Sequence, residues 1–222
     1  MRMQCHLKKK LSIKRFRETN DFKSILNEIN ILINKIRTEC INLDYIDIKY
    51  RLHNNNIEIR YNSELNALLN TLNEILYGLY DNNDIMDKIF QDGYRDLFLN
   101  IDLHHQNKID INNGLPNFMK NLGLGKKIYK KLIKDFNYIT SFYGYNPSID
   151  SNMVWDTILS DENIFSFTND DNIISFDKDY SFGDIVRELK IFFKIKGNKV
   201  FDDDFLKKYH LTDDQLKILL NL

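Results

Sequence analysis

The sequence predicts an α+β chain, an α/β-type mixed sheet flanked by helices. Three observations predict it. Apolar residues recur at helical spacing over Asp21–Cys40 and again over Leu65–Leu79. Between these segments, Ile46–Tyr61 alternates apolar and polar residues about an asparagine-rich centre. Further on, a nearly continuous apolar run at Tyr94–Leu103 precedes a second alternation of helical and extended segments.

Taken in order, Phe22, Ile25, Ile29, Leu32, Ile33, Ile36 and Cys40 form one helical stripe, with Asn20 or Asp21 as its cap. In the next segment Ile46, Ile48, Tyr50 and Leu52 alternate with polar residues, as do Ile57, Ile59 and Tyr61. The intervening His53-Asn54-Asn55-Asn56 suits a turn, since asparagine tolerates positive φ. The prediction is an antiparallel hairpin with one wet face. Ser63 is the expected cap of a helix whose broad apolar face holds Leu65, Leu68, Leu69, Leu72, Ile75, Leu76 and Leu79. A further helical turn or two is expected around Ile85–Phe90.

Tyr94–Leu103 reads as a central strand, and "HHQNKIDINNGLPNFMKN" as an irregular connection. Lys126–Asp135 is the next helix, with Ile128, Leu132, Ile133 and Phe136 inward and five lysines outward. "YITSFYG" is a strand, and Ser151–Ser160 a short helix carrying Met153, Val154, Trp155, Ile158 and Leu159. "IFSFTNDDNIISF" reads as two short strands or one interrupted strand, with a turn at Thr168–Asn172. The tail reads as helices, one capped by Ser181 and another by Thr212. The resulting plan is a basic arm at 1–20, an α/β domain at 21–178 and a helical C-terminal extension at 179–222.

At 222 residues and a formal net charge of -1, the chain lacks the positive balance of a protein built to hold nucleic acid, despite its basic arm "HLKKKLSIKRFR". Two cysteines without C-x-x-C spacing, and the doublet His104-His105 without an i, i+4 pair, give no metal motif. No apolar run reaches the roughly 20 residues that span a bilayer, and the N-terminus lacks a signal peptide's apolar core. A cytoplasmic location is the expectation.

The stretch "KNLGLGKKIYKKLIKDF" carries the functional signal. A glycine turn opening a helix can hold a phosphate. Backbone N–H groups at the helix start point at the anion, and glycine removes the Cβ that would block approach. Lys120, Leu122, Gly123, Leu124, Gly125 and Lys126 are the candidate binding residues. The turn lacks the third glycine of a dinucleotide fingerprint and the Gly-Lys-Ser/Thr ending of a P-loop.

"MKNLGLGKKIYKKLI" resembles the acyl-CoA-binding motif of the GCN5-related N-acetyltransferases, Arg/Gln-x-x-Gly-x-Gly/Ala at a helix start. Lys120 stands in the Arg/Gln place, Gly123 and Gly125 in the glycine places, and Pro116 resembles the family's upstream proline. The resemblance is specific over about Gly114–Phe167. It implies a central mixed sheet, acetyl-CoA as cofactor and direct attack of an amine on the thioester. Main-chain donors on the central strand would polarise the thioester carbonyl. Asp102, then Glu58, are the candidate bases.

A helix at Ser63–Tyr80 intervenes where the family usually has a short connection. Trp155 occupies a place where the family commonly has a proton-donating tyrosine, with Tyr143 and Tyr145 on the preceding segment. The stretch is also similar to uncharacterised tailed-phage proteins with a "GLGxKIY" helix, which implies host cytoplasm or virion as the location. An alternative reading is therefore an inactive scaffold that docks a protein partner through its C-terminal helices and aromatics. An enzyme is expected to show splayed central strands beside Gly123–Gly125. An interaction protein is expected to fill that cleft, with Phe118, Met119 or Trp155.

Overall fold

The computed structural model describes residues 20–79, 97–111, 115–142, 149–169 and 172–194. The basic arm, the Ile85–Phe90 turn, the start of the Tyr94 segment, Tyr143, Tyr145 and the tail beyond Lys194, with its Thr212 cap, lie outside the described residues. Those described form an α+β structure of two compact units, residues 1–100 with 111–124, and 101–110 with 125–222.

The first unit begins with α1 (Asn20–Asn42), whose stripe buries Ile29, Leu32, Ile36 and Cys40. A 3-10 turn at Tyr45–Asp47, capped by Asp44, leads to β1 (Lys49–His53) and β2 (Asn56–Arg60). The strands pair antiparallel with Leu52 opposite Ile57 and His53 opposite Asn56. Asn54 and Asn55 adopt φ of 48° and 62°. Two successive positive φ values match the right-handed twist of the strands, the property that selects asparagine there. The hairpin is present, but its apolar stripe is only partly covered. Ile48, Ile57 and Ile59 are fully buried, whereas Ile46 and Leu52 are exposed. Ile59 donates its N–H to Leu99 O at 2.9 Å.

α2 (Ser63–Gly78) buries Leu65, Leu69, Leu72 and Leu76, and α1 packs against it. Its cap is Asn62 and not Ser63. The Asn62 side chain accepts from Leu65 N at 2.8 Å, and Ser63 is the first helical residue. Sequence alone does not separate two adjacent cap-forming residues.

β3 is confined to Asn100–Leu103, shorter than the expected run from Tyr94, and Leu97 and Leu99 are buried ahead of it without strand geometry. The connection expected to be irregular holds β4 (Ile109–Ile111). A turn at His105–Asn107 precedes β4, with Gln106 and Asn107 at φ of 61° and 50°. His104 N–H reaches Lys108 O at 2.7 Å, and His104 Nε2 lies 3.0 Å from Asp110 Oδ2.

The second unit continues with α3 (Leu124–Phe136), β5 (Tyr138–Phe142), α4 (Ile149–Leu159), β6 (Ile164–Asn169), β7 (Asn172–Asp177) and α5 (Phe182–Phe192). Its sheet has the order β5-β7-β6, with both pairs antiparallel. A parallel bridge joins Lys108 to Thr140, and Ser141 Oγ donates to Ile109 O at 3.4 Å. α5, drawn from sequence into an extension, packs on this sheet. Ile185, Leu189 and Phe193 join Phe167, Ile174 and Phe176 in one core. Ser181 caps α5 as expected, accepting from Asp184 N.

Candidate ligand-binding site

The approach to α3 is built from turns. Pro116 starts a 3-10 turn at Asn117–Met119, in which Met119 N donates to Pro116 O at 2.9 Å and Lys120 N to Asn117 O at 3.3 Å. Arg37 on α1 fixes this turn by donating to Phe118 O at 2.9 Å. Phe118 and Met119 are buried in the first unit. Asn121 and Gly123 then take φ of 59° and 73°, and the helix begins at Leu124.

The two glycines have different reasons. Gly123 needs its positive φ, and a Cβ there would meet nothing within 4 Å. Its backbone is approachable. Gly125 is helical, and a Cβ there would lie 3.0 Å from Val154 Cγ2 on α4. That glycine is a packing requirement between α3 and α4. Lys120 is half-buried and Leu122 is partly exposed, while Leu124 is buried.

The lysines of α3 are not simply solvated. Lys130 Nζ lies 2.8 Å and Lys126 Nζ 3.5 Å from Asp161 Oδ2, whose carboxyl also accepts from Asn163 N at 3.1 Å. Burial alone would raise the pKa of Asp161. Lys130, the Asn163 amide and the charges of both lysines outweigh it and hold the carboxyl below its ordinary range. Lys134 faces Asp177 and Asp179 in the same manner. Lys126, expected to face a phosphate, thus already shares a carboxylate.

The candidate bases fall in different units. Glu58, on β2, is bonded to Arg60, whose guanidinium stands 4.5 Å over the Phe98 ring. Asp102 is half-buried on β3 in the second unit.

Two residues emerge that the sequence pattern did not single out for the site. Tyr129, one turn beyond Gly125 on the same face of α3, is buried, and its ring meets Trp155 edge-to-face at 4.7 Å between centroids. Among the described residues, neither Tyr129 Oη nor Trp155 Nε1 has a hydrogen-bond partner. Burial pushes the Tyr129 phenol well above its ordinary value. The other is Asp161, legible only as a carboxylate just past α4.

Elsewhere in the second unit, Tyr138 Oη donates to Glu188 at 3.0 Å, and Arg187 also bonds that carboxylate. Tyr138 and Glu188 border a cavity of about 10 Å³, room for one water. In the first unit an open groove of about 480 Å³ runs along α1 and α2 past Lys35, Glu39 and Glu64. Among the described residues there is no cluster that could hold a metal, and no helix long and apolar enough to cross a membrane. No family model, no curated protein and no solved structure matches the chain.

Proposed function

We propose that this chain is an N-acetyltransferase-like protein that binds an acyl-CoA at the Lys120–Lys126 turn, on a scaffold resembling the GCN5-related family. The observation that carries this reading is the passage β4–α3–β5. Lys108, the residue before β4, and Thr140 of β5 are joined by one isolated parallel bridge, and the glycine-turn helix lies between them in the chain. A single bridge suits strands that part beyond it.

The residues suit the group. Gly123 leaves its backbone open, and the first N–H groups of a 13-residue helix have no intrahelical acceptor. Lys120 and Lys126 would add positive charge. When bound, acetyl-CoA would supply a thioester open to direct attack by an amine. Asp102, then Glu58, would be the carboxylates to accept the amine proton, and Glu58 is also bonded to Arg60.

A second reading, a scaffold of this kind that docks partners and no longer catalyses, is favoured by Trp155. The indole sits fully buried where the family commonly has a tyrosine, and its N–H cannot protonate a thiolate.

Calorimetric titration with acetyl-CoA tests the binding claim, using Gly123→Asp and Gly123→Asn. Both residues tolerate positive φ, and the Cβ position is open. The asparagine variant should bind within a few-fold of the native chain. The carboxylate should weaken binding at least tenfold by facing the phosphates. Absence of heat at millimolar ligand with the native chain would sink the reading. Gly125 is the wrong position to block, because Val154 makes its replacement a test of folding.

A further inference from the structure

We propose that the outer edge of β1 docks an extended, acidic segment of a partner protein as an added strand, selected by Lys49 and Arg51. The inference is independent of the acyl-CoA reading and draws on β1 and β2, which lie in the first unit.

Among the described residues β1 is an end strand of its sheet, paired with β2 on one side. The ladder shows which backbone groups it turns outward. Ile59 donates its N–H to Leu99 O, away from β1, so Tyr50 and Ile59 face each other without exchanging hydrogen bonds. Alternation makes Leu52 and Ile57 another such pair. The backbone N–H and C=O of Tyr50 and Leu52 therefore point to the outer side. Those of Leu52 meet no partner among the described residues. An edge of this kind is a template for a further strand.

The side chains say which strand. Lys49, Arg51 and His53 share a face with their partners Arg60, Glu58 and Asn56. That face sets three permanent cations against one carboxylate, Glu58, which is bonded to Arg60. Lys49 and Arg51 are exposed. On the other face Ile57 and Ile59 are buried, but Leu52 is 52% exposed, and Ile46, just ahead of the strand, is 64% exposed. Charges alone would only keep other strands away from an edge. Apolar side chains left open beside them give an added strand something to cover. The charges then choose the occupant. A second copy pairing antiparallel through β1 would set basic residues beside basic ones. A strand that alternates carboxylates with β-branched residues would lay the first beside Lys49 and Arg51 and the second over Leu52.

The probe is a blocked, dye-labelled peptide alternating glutamate with valine, titrated with the full chain by fluorescence anisotropy. It should bind, and bind less tightly as salt is raised. A lysine–valine peptide should bind about tenfold more weakly. So should the glutamate–valine peptide with its backbone N-methylated, which keeps the charges and removes the donors. Lys49→Glu should weaken the glutamate–valine peptide about tenfold, and its new carboxylate would face Arg60, which keeps the hairpin. Leu52→Pro removes an outward N–H, a replacement edge strands tolerate, and should weaken binding too.

Equal binding of the acidic and basic peptides, or binding indifferent to N-methylation, would overturn the inference. Absence of binding at millimolar peptide would do the same. A native chain that sediments as a dimer, with Leu52→Pro a monomer, would also overturn it by assigning the edge to a second copy. If Leu52→Pro fails to fold, the peptide comparisons on the native chain still decide. None of these outcomes bears on acetyl-CoA binding.

Discussion

A Cβ built on Gly125 lies 3.0 Å from Val154 Cγ2, so the opening turn of α3 and the side of α4 are fitted to a residue with no side chain. Two effects of opposite sign meet there. Alanine in a helix is favoured over glycine by roughly 0.5–1 kcal/mol. Overpacking a fitted contact costs typically 1–3 kcal/mol. Gly125→Ala should therefore lose about 1 kcal/mol in the native background and gain stability when paired with Val154→Ala. Urea unfolding of the four proteins of this cycle decides it. A loss that persists unchanged with Val154→Ala would place the cause elsewhere.

How much of this was legible beforehand differs by element. α1, α2 and the Asn54–Asn55 hairpin follow from local periodicity and turn chemistry, which the sequence carries directly. β4 did not follow, because three residues between two turns are too few to show alternation. Ser63 and Asn62 were exchanged because both residue types cap helices equally well. At the site, the helix was read as starting at Lys126, whereas it begins at Leu124 and takes Gly125 into its first turn, but a helix after the glycine turn was legible. The packing of Gly125 on Val154 was not, nor was the meeting of Tyr129 with Trp155, since each joins residues about 26–29 positions apart in the chain.

The β1–β2 turn invites a second prediction. Asn54 and Asn55 both hold positive φ, at a cost glycine does not bear. Asn55→Gly should stabilise the chain by about 0.5 kcal/mol, whereas Asn55→Val, β-branched at positive φ, should destabilise it by 1 kcal/mol or more. Thermal melts of the two variants would show shifts of opposite direction. A Val variant as stable as the native chain would contradict the turn geometry.

Ser166 and Ser175 face each other across β6 and β7 with their hydroxyls 2.8 Å apart, both buried. Removing either hydroxyl breaks this bond inside a buried sheet, at a cost of about 1–3 kcal/mol. Removing both leaves no orphan. Ser166→Ala and Ser175→Ala should each destabilise by about 1–2 kcal/mol, and the double variant by less than the sum. An additive double variant in denaturant titrations would mean that each hydroxyl has its main partner elsewhere.

Asp161 gives a pH dependence with a definite sign. Burial acts to raise its pKa, but the Lys130 bond, the Asn163 amide and the Lys130 and Lys126 charges together lower it. The folded protein therefore holds the carboxylate more firmly than the unfolded chain does. Stability from this group is fully present above the unfolded value of 3.8 and is lost as pH falls through the lower folded value. Asp161→Asn should consequently be less stable than the native chain at neutral pH, with the difference shrinking as the pH drops below about 4. The variant also leaves Lys126 without this carboxylate while the turn before it is intact, so acetyl-CoA should bind Asp161→Asn at least as tightly as it binds the native chain. Urea titrations at several pH values and one calorimetric titration read both effects. A stability gap that stays constant through acid would remove the ion pairs as its cause. Weaker binding in Asp161→Asn would mean that Asp161 holds Lys126 in place for the ligand and does not compete with it.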